Sequence, residues 1–145
     1  MNPLRQQLVS TALKWQQSYG VAPHITSAIS ELDAAQLVGM EEADYSRFMQ
    51  QRSQVAKGFD FEFQNIRYQV KANRPSGNKG SEVTLVAKAK NMNWDKLIWI
   101  LYNPQYELQE AWLWDASAYY QKFAHKKRLS PNDMRLGKNL ISNQP

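Results

Sequence analysis

Near the middle of the chain, Phe59-Asp60-Phe61-Glu62-Phe63 and Ile66-Arg67-Tyr68-Gln69-Val70-Lys71 each alternate strictly between apolar and polar side chains. Only Gln64-Asn65 separates the two runs. A period of two puts successive side chains on opposite faces of a strand, and two such runs across a two-residue break specify an antiparallel hairpin. Gln-Asn is weaker turn chemistry than Asn-Gly, but the loop length still sets the register. Phe63 then faces Ile66, Glu62 faces Arg67, Phe61 faces Tyr68 and Asp60 faces Gln69. Directly opposed residues have Cβ atoms roughly 5 Å apart, and Lys71 becomes a diagonal neighbour of Asp60. One face carries Phe59, Phe61, Phe63, Ile66, Tyr68 and Val70. The other carries Asp60, Glu62, Arg67, Gln69 and Lys71. That polar face is either a solvated exterior, with Glu62–Arg67 as an ordinary ion pair, or the wall of a site.

The hairpin sits between helical segments. Leu4, Leu8, Val9, Ala12, Leu13 and Trp15 recur at helical spacing and predict a helix over 3–19 that ends near Gly20. After Pro23, Thr26 or Ser27 can cap a second helix bearing Glu31, and 41–54 reads as a third with acids in its first turn. Residues 73–80 form a loop on composition. Residues 97–102 and 106–114 read as buried strands joined across Asn103-Pro104. Asp115 caps a helix to about Lys126, and Ser130-Pro131 starts a short last one. Helices, then strands, then helices imply one domain over 1–145, an α+β or α/β sandwich with a mixed sheet flanked by helices, and the α/β form is the expectation. Its parts are the N-terminal helix 3–19, a core of about 24–115, and basic C-terminal helices over 116–141.

Several chemistries are excluded or thinly supplied. With no Cys there are no disulfides, thiolate metal sites or Cys nucleophiles, and two His leave little material for Ser-His-Asp catalysis. No stretch approaches the roughly 20 apolar residues of a membrane span, and the start of the chain reads as an amphipathic helix rather than a signal peptide. A cytoplasmic setting without membrane contact is the expectation. The net charge of +5 is concentrated at one end. Lys122, Lys126, Lys127, Arg128, Arg135 and Lys138 face only Asp133 after residue 119. A localised basic end is compatible with a polyanionic partner.

The stretch GFDFEFQNIRYQVKANRPSG, followed by WDKLIWILYNPQYELQEAWLW, resembles the compact restriction-endonuclease-like domains of the PD-(D/E)xK nucleases. An upstream helical acid, Glu31 in ITSAISELDAA, matches the acid on the first core helix of that superfamily. The resemblance extends from residue 24 to about 114. Gly58-Phe59 stands where the motif has Pro before Asp60, and Gln69 stands where it has Asp or Glu. Subgroups with a QxK motif are similar, including Mrr-like restriction enzymes and some intron-encoded homing endonucleases. The resemblance implies an endonuclease that hydrolyses DNA phosphodiesters. Glu31, Asp60 and Gln69 would ligate Mg²⁺, with Mn²⁺ able to substitute, and Lys71 would orient or activate the attacking water. A Gln carbonyl is a hard oxygen ligand without charge, so metal affinity is expected to be weakened.

Arg74 and Lys79, in the loop after Lys71, and Lys126, Lys127 and Arg128, in the basic end, are the candidate phosphate contacts. Ser76 and Asn78 decorate the same loop, and Lys88 and Lys90 either extend the basic surface or lie on a solvated face. His24 reads as a loop residue and His125 as part of the basic end. Trp99 reads as core, with Trp112 and Trp114 sharing one strand face. A chain this small, cutting both strands, would need a homodimer or a targeting partner. The alternative from another class is a nucleic-acid-binding module that keeps the fold without hydrolysis, and Gln69 is the feature that sustains it. A third is a small interaction protein whose basic end meets an acidic partner.

Overall fold

A computed structural model describes residues 2–52 and 58–141. Three of the four expected hairpin pairs form, and the fourth, Asp60 opposite Gln69, does not, because the first strand begins at Phe61 and the Asp60 side chain accepts from the Val70 amide instead. Strand β1 (Phe61–Phe63) pairs antiparallel with β2 (Ile66–Asn73), with Phe61 opposite Tyr68, Glu62 opposite Arg67 and Phe63 opposite Ile66. Gln64 (φ 52°) and Asn65 (φ 64°) both take the left-handed conformation of a type I′ turn, whose twist matches the strands. Cross-strand packing offsets the unfavourable turn chemistry: the Phe61 and Tyr68 rings stack with centroids 4.8 Å apart.

Strand β2 runs parallel to β3 (Lys96–Tyr102), and β3 pairs antiparallel with β4 (Leu108–Asp115). A two-residue strand, β5 (Lys138–Asn139), closes the far edge. The sheet is therefore mixed, in the order β1-β2-β3-β4-β5. Strand β3 is central and buried on both faces, which is why its sequence, KLIWILY, is continuously apolar after Lys96.

Two apolar clusters cover the two faces. On one, Tyr68, Val70, Ile98, Ile100 and Tyr102 pack with Ala12 of helix α1 (Pro3–Tyr19) and with Ile29, Ala34 and Ala35 of helix α2 (Thr26–Leu37). On the other, Leu97, Trp99 and Trp114 pack with Tyr119 and Phe123 of helix α4 (Ala116–Phe123) and with Met134 of helix α5 (Pro131–Met134). Helix α3 (Glu42–Gln51) lies beside β1. Burying both faces of the sheet between helices produces a three-layer α/β fold.

Parallel β2 and β3 require a long crossover, and here it is an irregular segment, 74–95, rather than a helix. Val86 and Trp94 anchor it in the second cluster, and Val86 bridges Leu129. Helix α1 is capped by Asn2, whose side chain accepts from the Arg5 amide at 3.0 Å, and it ends on left-handed Gly20. A buried lock ties it down: Arg5 grips Asp33 through two bonds of 2.8 and 2.7 Å, and the Tyr102 hydroxyl donates to the same carboxylate.

Four local expectations are corrected. Helix α2 starts at Thr26 with Ile25 as its cap residue and no side-chain capping bond, because burial of Ile25 in the core sets its start. Helix α3 ends at Gln51, and 53–54 lie outside the described residues. Asp115 precedes α4 without a capping hydrogen bond, and that helix ends at Phe123. The C-terminal region is helical only in α4 and α5. After them, Gly137 passes against Trp114, where a Cβ would lie 2.6 Å from the indole nitrogen, and delivers β5 to the sheet edge. Among the described residues no helix is long and apolar enough to cross a membrane.

Candidate metal and phosphate site

The site is built where β1 and β2 part. The Asp60 amide donates to the Tyr68 carbonyl at 2.8 Å, continuing the hairpin by one bond. The next donor on β2, the Val70 amide, is taken by the Asp60 side chain itself, with Oδ2 accepting at 2.7 Å. The carboxylate thus stands in for the strand that is no longer there. Behind it, Gly58 (φ +86°) turns the chain against the 91–93 segment. A Cβ at Gly58 would sit 2.8 Å from Asn91 Oδ1 and from the Asn93 Cβ. The left-handed backbone and the lack of space both require glycine there. The bend breaks the alternation: Phe59 packs into the second cluster, whereas Phe61 lies in the first. Strict alternation put both on one face, and the correction is local to Asp60.

Helix α2 brings Glu31 to this point. Burial, chiefly, and the negative charge of Asp60, secondarily, push the Glu31 carboxyl up to about 7, with Arg52 pulling the other way. Burial also raises Asp60 above the usual carboxylate range, opposed by the Val70 hydrogen bond and the charges of Lys71 and Arg52. Two half-buried carboxyls that share a field cannot both ionise cheaply, and a divalent cation would relieve the conflict. Tyr45 of α3 lies in the same field, its hydroxyl pushed up first by burial and then by Glu31.

Lys71 and Gln69 come from β2. Lys71 is half-buried and makes no ion pair among the described residues, yet its charge acts on Asp60. Register places Gln69 beside Leu97 and Lys71 beside Trp99, on the face of the second cluster, whereas α2 covers the face of Tyr68 and Val70. Asp60, at the strand edge, shares its electrostatic field with Glu31 and with Lys71. Gln69 is half-buried, and its carboxamide makes no hydrogen bond among the described residues.

The acids that share this field, Glu31 and Asp60, offer hard carboxylate oxygens, whereas register puts Gln69 on the sheet face that α2 does not cover. No group of three or more His, Cys, Asp or Glu placed to hold a metal occurs among the described residues. Mg²⁺ commonly binds through one or two carboxylates and completes its shell with water and substrate phosphate, so this donor set fits it. Glu31 accepts no hydrogen bond among the described residues, which leaves its oxygens available.

The expected phosphate contacts divide into two kinds. Arg74 is largely committed inside the protein: Nε and Nη2 donate to the Pro104 carbonyl at 3.0 and 2.5 Å, and Nη2 also donates to Gln16 at 2.7 Å. Its guanidinium lies 4.3 Å from the centre of the Tyr106 ring. Lys126 pairs with Asp133 at 2.8 Å. Lys79, Lys127 and Arg128 are exposed. Lys88 donates to the carbonyls of Ala124 and Lys126, satisfying the end of α4 rather than extending a basic surface. His24 and His125 are exposed and lie outside the acid cluster.

Arg52 and Tyr45 are the members of the site that sequence reasoning missed. Both belong to the polar helix α3 or its end, and nothing in their spacing distinguishes them from solvated helix residues. A cavity of about 1030 Å³ between α1, α2 and the 105–108 segment includes none of Glu31, Asp60, Gln69 or Lys71. Comparison with protein-family models and with curated proteins returns no match.

Proposed function

We propose that the chain is a metal-dependent endonuclease that hydrolyses DNA phosphodiester bonds on a restriction-endonuclease-like core. The observation that carries this reading is the electrostatic meeting at Asp60 of a helical acid, Glu31, and a lysine of the neighbouring strand, Lys71. The three lie far apart in the chain, yet Arg52 lies 4.0 Å from the Glu31 carboxylate and donates to the Asp60 carbonyl, which ties both acids to one place.

In this reading Glu31, Asp60 and the Gln69 carboxamide would hold Mg²⁺ or Mn²⁺. The bound ion would act as a Lewis acid on the phosphate and lower the pKa of a water. Asp60 is held in position by its bond to the Val70 amide. Lys71 supplies positive charge beside Asp60, where it can stabilise charge that develops on a phosphate or orient the water. Exposed Lys79, Lys127 and Arg128, with Lys126 beside them in sequence, offer phosphate contacts. Cutting both strands would call for a homodimer or a targeting partner.

A non-catalytic nucleic-acid-binding module is the second reading. It is favoured by the charge balance, since Arg52 and Lys71 oppose the only two acids of the pair and Gln69 adds none. One experiment separates the two. Supercoiled and linear DNA, and RNA, are incubated with the protein in Mg²⁺, Mn²⁺ or EDTA, beside Lys71→Ala and Asp60→Ala. The enzyme reading expects metal-dependent nicking that both substitutions abolish while Lys71→Ala still binds DNA. Nicking that persists in both variants would refute the assigned site.

A further inference from the structure

We infer, on the basis of the metal-dependent reading above, that Arg52 is a built-in counter-cation that a divalent metal must displace from Glu31 to load the site. The guanidinium stands at the end of α3, with Nη2 4.0 Å from Glu31 Oε1 and Nη1 donating to the Asp60 carbonyl at 3.3 Å. It therefore touches both acids of the pair, one through its side chain and the other through its backbone. The side chains of Arg52 and Glu31 are 28% and 16% exposed, so their attraction is only partly screened.

The looseness of this contact sets it apart. Arg5 holds Asp33 at 2.7–2.8 Å, Arg135 holds Glu110 at 2.7–2.8 Å and Arg67 holds Asp95 at 3.1–3.2 Å, each through a two-pronged grip. Arg47 donates to Asp44 at 2.8 Å. Among the described residues, Arg52–Glu31 is the arginine–carboxylate pair with no hydrogen bond. A fork-shaped donor beside a carboxylate normally makes its bonds, and these are what lock a structural pair. Here the fork is anchored on a backbone carbonyl, and Glu31 keeps its lone pairs free. Charge is neutralised without occupying the ligand atoms.

The consequence is competition. A dication entering beside Glu31 meets a guanidinium within a few ångströms. Repulsion at about 6 Å in a water-like dielectric amounts to about a tenfold loss of affinity. A phosphate of the nucleic acid offers Arg52 another anionic partner, so metal and nucleic acid would each favour binding of the other, as linkage requires.

The test measures Mn²⁺ binding without nucleic acid, by the electron paramagnetic resonance signal of the free ion. Wild type, Arg52→Gln, Arg52→Met and Arg52→Lys are compared, with Arg67→Gln as a control for net charge. Variants are scored if their thermal melts match wild type, and two neutral replacements guard against one that fails to fold. The expectation is about tenfold tighter Mn²⁺ binding in the neutral variants, with Arg52→Lys and Arg67→Gln within about twofold of wild type. Unchanged or weaker binding in the neutral variants, while wild type binds, would overturn the role of Arg52 and leave the metal site standing. A gain of equal size in Arg52→Lys would also overturn it, because the charge is then not responsible. No binding by any variant would overturn the metal-dependent reading itself.

Discussion

Replacing Glu31 by Gln should stabilise the metal-free protein at pH 8 and remove most of a pH dependence that wild type shows below neutrality. Burial and Asp60 lift the Glu31 carboxyl from an ordinary 4.5 to about 7. An acid whose pKa is raised by folding contributes its full stability when protonated in both states. As the pH climbs from about 4.5, the unfolded chain releases the proton first, and stability falls until about pH 7, where the folded protein releases it too. A displacement of that size corresponds to about 3 kcal/mol, and partial exposure of the site reduces the expected loss to about 1–3 kcal/mol. Asp60 is raised as well, so it adds to the fall in the same direction. Urea denaturation in EDTA at pH 5, 6, 7 and 8 measures the loss. The difference between wild type and Glu31→Gln should widen with pH, to the advantage of the variant, and millimolar Mg²⁺ should narrow it by stabilising wild type alone. Parallel curves over this range, or a variant less stable at pH 8, would refute the mutual burial of Glu31 and Asp60.

Arg74→Ala should cost about 2–3 kcal/mol in thermal or chemical unfolding, since it removes charged hydrogen bonds to Pro104 and Gln16 and the contact over Tyr106. The same variant should leave the salt dependence of DNA binding nearly unchanged, which a filter-binding titration would show. Gly58→Ala should destabilise by more than about 1 kcal/mol, because its left-handed backbone and the contact with Asn91 and Asn93 both resist a Cβ. It should also weaken Mn²⁺ binding by moving Asp60. Neutralising Lys126, Lys127 and Arg128 together should lower the slope of log K against log salt by about 2 rather than 3, because Lys126 is already paired with Asp133.

Features whose cause is local are legible in the chain. Alternation and a two-residue break set the hairpin register, so Phe61 meets Tyr68 and Glu62 meets Arg67 with no help from the rest of the fold. Apolar spacing and the Gly20 end define α1, and Ser130-Pro131 starts α5. The run LIWILY announces a strand buried on both faces, because no side of it can tolerate water. Other features arise only where elements meet across space. Alternation fails at Asp60 because the 91–93 segment and Gly58 bend the chain there, and the freed Val70 amide then claims the Asp60 carboxylate. Arg52 reads in the chain as the end of a polar helix and becomes a member of the site only when α3 lies against β1. Arg74 reads as a free cation in a polar loop, but the packing of α1 against 103–106 encloses its fork. Charge and period are properties of neighbours in sequence. Burial, which decides what a charged group costs and what it must hold, is a property of neighbours in space.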